Sequence, residues 1–330
     1  MAIRIGTTEV KQVYLGTSKV KLIYLDKELV FAAPYKLTIT LGAGISQVSY
    51  TAKTIDGKTT TGSVSVTSTL TFGYGTTVTF SYTVSTGYQI SSYVSSATLT
   101  ADRTVSFTAT KKTYNVYLEL RYNATTYGSR VGTVQYSKNN TTWYTTSGST
   151  ISAEYGSTLY LRNISAVPGF KLSTVKYNGS TQSASGGVYR ITVGAGNYYL
   201  VINYAAQSTS SSISFAQAES VTTNTLTRSA FTVNFNISIH VKECTAGTVI
   251  GTVPVNYRPT SAKTYKTTWR VQSGTASSTN EATITINTNG TIVSNIDSTG
   301  SGSDAGGAKW GSYNITWYTQ IVISGSWSTN

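Results

Sequence analysis

FTVNFNISIHV, residues 231–241, alternates apolar and polar side chains over eleven positions. A period of two puts Phe231, Val233, Phe235, Ile237, Ile239 and Val241 on one face of an extended strand, and Asn234, Asn236, Ser238 and His240 on the other. A helical period would scatter the apolar set around the axis, so this stretch is a half-buried strand. Downstream, ATITINTNGTIV at 282–293 reads as a hairpin turning at Asn289-Gly290, the dipeptide that accepts the positive φ of a tight turn. SYNITWYTQIVISGSW at 312–327 supplies the last strands. Upstream, the Ser-rich AQSTSSS at 206–212 reads as a linker, so residues 207–330 form a C-terminal β-sandwich.

Residues 34–112 and 113–206 read as two diverged copies of one small β module. YKLTITL at 35–41 matches YNVYLEL at 114–120, YGTTVTF at 74–80 matches YGSTLYL at 155–161, and TGYQI at 86–90 matches PGFKL at 168–172. Each copy closes on an alternating run, RTVSFTAT at 103–110 and NYYLVINY at 197–204. Turns are expected at Asp56-Gly57, Asn139-Asn140 and Asn178-Gly179. Residues 1–33 hold a shorter repeat, VKQVYLG at 10–16 and VKLIYLD at 20–26. One strand and a turn per copy gives a three-stranded meander, too small to bury a core alone. It is therefore expected to dock, through Val10, Tyr14, Val20, Tyr24 and Phe31.

Composition narrows the function. Hydrophobic residues make up 39% of the 330, enough for several cores, while charged residues are only 11%. Ser, Thr, Asn and 25 tyrosines take the surface positions where soluble enzymes carry Glu, Lys and Asp. The net charge of +13 is spread thinly, with no basic run longer than Lys111-Lys112, which argues against nucleic-acid binding. No apolar stretch reaches membrane-spanning length, and the start has no apolar core of a secretory signal.

Chemistry is sparse. The single His, His240, sits mid-strand on the polar face, so a hydrolytic triad is not expected. The single Cys, Cys244, excludes a disulfide framework and reads as a small buried hydrophobe. Glu281, Asp297 and Asp304 are the carboxylates nearest one another in the C-terminal part, the last two in a Gly/Ser-rich loop. No catalytic, cofactor or metal residue is assigned, and no cofactor is expected. Trp310, Tyr313, Trp317, Tyr318 and Trp327 crowd the last 21 residues. They are candidates for subunit contacts or for stacking on sugar rings.

Three stretches carry resemblances. YGTTVTFSYTVSTGYQI at 74–90 resembles the InlB B-repeat-like modules of bacterial surface proteins, without the Trp that usually follows the Gly-Tyr turn. IGTVPVNYRP at 250–259, ATITINTNGTI at 282–292 and YNITWYT at 313–319 resemble the terminal β-sandwich of phage fibre and baseplate proteins. The leader IRIGTTEVKQVYLGTSKVKLIYLDKELVF resembles the attachment end of phage appendages. These resemblances imply an all-β, non-enzymatic virion protein: a head fibre whose residues 1–33 grip a capsid or tail protein and whose jelly-roll-like end trimerises. Adhesion to a bacterial surface glycan is a further implication. A tail-fibre or baseplate receptor-binding protein, or a bacterial surface adhesin, is the alternative.

Overall fold

The computed structural model describes residues 4–5, 8–9, 13–25, 28–241, 246–273, 276–295 and 318–329. They are strands joined by turns; among the described residues the helical pieces are two 3-10 turns, Gly128–Arg130 and Val255–Tyr257. The fold class is all-β. The chain divides into two compact units, residues 1–116 with 151–159 and 191–198, and residues 117–150 with 160–190 and 199–330.

Residues 34–111 form two four-stranded sheets. One runs Ser68–Gly73, Pro34–Leu41, Arg103–Lys111, Tyr88–Ser92; the other runs Ser96–Thr98, Thr77–Val84, Ile45–Lys53, Thr59–Val64. Pro34–Leu41 and Arg103–Lys111 lie parallel, Leu37 opposite Arg103 and Leu41 opposite Phe107. Alternation turns Leu37, Ile39, Val105 and Phe107 inward from the first sheet, to meet Val48, Ala52 and Val78 from the second. Burying a side chain such as Phe107 stabilises by about 1.5–3 kcal/mol, and the Phe80 ring meets it edge-on at 5.6 Å.

Residues 113–206 supply two further sheets. In one, Ser149–Glu154 pairs with Thr113–Tyr122, which is followed by Tyr198–Ala206 and Phe170–Tyr177; in the other the order is Tyr144–Thr146, Gly132–Ser137, Thr158–Ala166, Val188–Thr192. With three short extra strands set aside, this is the strand order of residues 34–111. The matched sequence pairs fall on equivalent strands and turns. Gly87 and Gly169 occupy equivalent turns, both with positive φ, 80° and 93°. A side chain there would be strained, which is why the glycine recurs where neighbouring residues have diverged.

The amino-terminal repeat differs from the expected meander. Each copy folds back on itself: Tyr14–Leu15 pairs with Ser18–Lys19 about Gly16, and Leu22–Leu25 pairs with Glu28–Ala32. Ten residues suffice for a whole hairpin because Gly16, at φ 64°, closes a two-residue turn. The last hairpin packs within its own chain, with Phe31 and Ala33 buried and the Ala33 carbonyl accepting from the Tyr74 amide at 2.7 Å.

The C-terminal part is a nine-stranded sheet ordered Thr209–Ser211, Ala218–Ser229, Thr232–Val241, Tyr318–Ser328, Lys263–Ser273, Ala276–Ile286, Thr291–Ser294, Thr248–Thr252, Ser214–Phe215. The two outermost strands are separated in sequence only by Ser212 and Ile213. Two residues cannot span a flat nine-stranded sheet, so the sheet folds over on itself and brings its edges together. Val233, Phe235, Ile237, Ile239 and Val241 are buried with Ile250, Ile284, Ile286, Ile292, Ile321 and Trp327 in the enclosed core. The Ser-rich stretch is therefore not a free linker. Thr209–Ser211 pairs with Leu226–Arg228, and Asn224 clamps the corner: its Oδ1 accepts from the Ile213 amide at 2.9 Å while its Nδ2 donates to the Ile213 carbonyl at 2.8 Å.

Candidate functional site

Of the candidate docking residues, Val10 lies outside the described residues. Tyr14 pairs with Lys19, Val20 is half-buried, and Phe31 is buried against the sandwich that follows it. Tyr24, 49% exposed, keeps its side chain in solvent together with Leu15 at 81% and Leu25 at 69%. The apolar surface these hairpins leave open is thus carried by Leu15, Tyr24 and Leu25.

Of the terminal aromatics, Trp310, Tyr313 and Trp317 lie outside the described residues, as do Cys244, Asp297 and Asp304. Tyr318 opposes Gln272 in the sheet. Trp327 is a correction: it faces the core of its own sheet, not a partner. It opposes Val233, stacks 4.9 Å from Phe235, and donates from Nε1 to the Tyr257 carbonyl at 2.7 Å. Alternation placed it on the apolar face, and that face is enclosed. His240 opposes Gln320 at mid-strand. Among the described residues exposed aromatic surface includes Tyr144, which pairs with Tyr136 at 5.4 Å; nearby the Arg162 guanidinium sits 3.8 Å over the Trp143 ring, its Nε donating to Gln135.

The VPVNYRP segment at 253–259 borders a cleft of about 360 Å³ lined by Ser129, Arg130, Val167, Arg228, Val255, Asn256, Arg258, Pro259, Thr288 and Thr329. The Val255–Tyr257 turn gives it shape, held by the Trp327 bond to the Tyr257 carbonyl. Arg258 is fixed by Nε donating to the Val253 carbonyl at 3.2 Å. A Cβ on Gly290 would fall 2.5 Å from Arg258 Nε, so glycine is required there for close approach as well as for the turn. Arg130 lies over the Phe231 ring at 4.8 Å, part of a cluster with Tyr122, Tyr127 and Phe170.

Arg228 is only 2% exposed. Its Nε donates to the Ala230 carbonyl at 2.9 Å and its Nη1 to the Asn256 carbonyl, while among the described residues Nη2 has no hydrogen-bond partner. Burial pulls the guanidinium below the usual arginine range, and Tyr257 acts the other way. The sequence carries a signal for it. In LTRS at 226–229, Arg228 shares the inward face of Leu226, an unusual place for a charge.

No family model matches the sequence, and no curated protein matches it. Among solved structures, the shaft pilin SpaA of Lactobacillus rhamnosus GG is similar at 12% identity and a TM-score of 0.20, over 53% of this chain and 98% of that one. The pilus adhesin SpaC of the same organism is similar at 10% identity and a TM-score of 0.25, over 84% of this chain and 41% of that one. The major pilin of Streptococcus pyogenes is similar at 7% identity and a TM-score of 0.22, over 54% of this chain and 99% of that one. At these scores the likeness assigns no function to this chain. The structures named here are bacterial pilus proteins, and none of them is a phage fibre. The expectations of a phage fibre, a virion location and a capsid or tail partner are corrected on that finding, and the three-fold assembly drawn from the same resemblance has no support.

Proposed function

We propose that the chain is a non-enzymatic protein of the bacterial cell exterior, a β-sandwich spacer with adhesive surfaces that associates with further copies of itself. The observation that carries this reading is the recurrence of one strand order in residues 34–111 and 113–206 with little sequence kept in common. Repeating a sandwich adds length and surface without adding a site, which suits a spacer and gains an enzyme nothing. Two features agree with it. The charged fraction is only 11%, with polar uncharged residues in its place. Exposed tyrosines such as Tyr93 and Tyr144 give flat amphipathic faces of the kind that stack on sugar rings.

Association is assigned to the amino-terminal hairpins, where two-stranded sheets leave Leu15 and Leu25 in water. Light scattering of the full chain is expected to report a mass that rises with concentration, and the Leu15→Lys, Leu25→Lys double variant is expected to remain a monomer. Equal association of variant and parent would remove the hairpins from the interface.

A further inference from the structure

We propose that the cleft between the Val255–Tyr257 turn and Arg130 is a binding site for an oxyanion, a phosphate or carboxylate borne on a hydroxyl-rich ligand. Three guanidinium groups line it, Arg130, Arg228 and Arg258, and among the described residues that line it none carries a carboxylate side chain. Like charges gathered in one cleft repel one another, and burial strengthens the repulsion. Proteins offset this with a carboxylate; here the described residues offer backbone carbonyls to Arg228 and Arg258 instead. An oxyanion supplies the missing charge, and guanidinium groups recognise it by paired N–H donors.

Arg228 sharpens the point. A charge this deeply buried is costly unless it is compensated. Its two carbonyl contacts satisfy Nε and Nη1 and leave Nη2 over. Asn256, Thr288, Thr329 and Ser129 add an amide and hydroxyl groups around the same space, suited to the hydroxyls of a sugar or polyol. A cleft of about 360 Å³ has the size of a small-ligand site. Binding here needs no particular cellular location, so its test is separate from that of the surface role.

The experiment is calorimetric titration of the full chain with inorganic phosphate, glycerol phosphate and glucuronate, with glucose and added chloride as controls. Saturable binding is expected for at least one oxyanion, weakening as salt rises, and none for glucose. Binding of the two phosphates alone assigns a phosphate ligand; binding of glucuronate alone assigns a carboxylate. The Arg130→Gln, Arg258→Gln double variant, with folding checked by circular dichroism, is expected to bind at least about tenfold more weakly, the loss of one charge-assisted hydrogen bond or more. Arg130→Gln alone changes an exposed residue and serves as the second variant if the double one unfolds. No saturable binding of any oxyanion, or affinity unchanged in the variants, would overturn the site.

Discussion

Asp56 stands at the exposed turn between Ile45–Lys53 and Thr59–Val64, where the Thr54 hydroxyl donates to its carboxylate and Lys58 Nζ lies 2.9 Å away. The hydrogen bond from Thr54, then that from Lys58, hold its pKa down at about 2 from an ordinary 3.8. The folded value is the lower one. Whatever this carboxylate contributes to stability is therefore present above the ordinary value and lost as pH falls towards 2. An NMR titration should place the Asp56 midpoint near the lower value, and Thr54→Ala should move it up; a midpoint at the ordinary value in the parent would contradict the turn geometry. This turn is legible in the sequence, because Asp-Gly between alternating runs names its own conformation. Arg228 is less so. The alternation of Leu226 and Arg228 marks it as inward, but strand period alone does not say which carbonyls or arginines will surround an inward charge. Trp327 shows the same limit: its face can be read, while whether that face meets the same chain or another depends on how the sheet closes.

Among the elements, the short strands are the hardest to see in sequence. Thr209–Ser211 has no apolar pattern, since its pairing is carried by backbone groups and by polar contacts, Thr209 Oγ1 with the Arg228 carbonyl and with Tyr257 Oη. The Asn224 clamp beside it is a tertiary bond between positions eleven residues apart, which no local propensity encodes. Asn224→Ala would leave the Ile213 amide and carbonyl without these partners. Its expected cost is about 1–3 kcal/mol, read as a lower denaturation midpoint in urea at unchanged slope, whereas Thr225→Ala on the neighbouring position should cost less. Equal effects of the two would show that the clamp does not hold the corner. The long strands behave differently. Thr232–Val241 opposes its neighbours on both sides through a regular inward set, and the alternation of its residues is enough to mark that set. In the amino-terminal repeat the period of ten is plain and its meaning is not. A period fixes how often the chain turns, and in the first unit Gly16 adds one more turn within the unit itself.

For the whole molecule, the repeated strand order is foreshadowed by matches of five to seven residues spaced 79 to 82 positions apart. Those matches fall on the strands and turns whose backbone geometry is constrained, while the inserted strands Ser180–Gln182 and Ala184–Ser185 have no counterpart in residues 34–111. Function is less legible. The phage resemblance rests on IGTVPVNYRP, ATITINTNGTI, YNITWYT and an amino-terminal leader, short stretches whose form is set by turn and hairpin requirements that unrelated β proteins share. A spacer of the cell exterior makes a plain demand on location. Immunogold labelling of producing cells with antibody to the purified chain tests it: the account predicts gold on the outer face of intact cells, and gold confined to the cytoplasm or to released phage particles would contradict it.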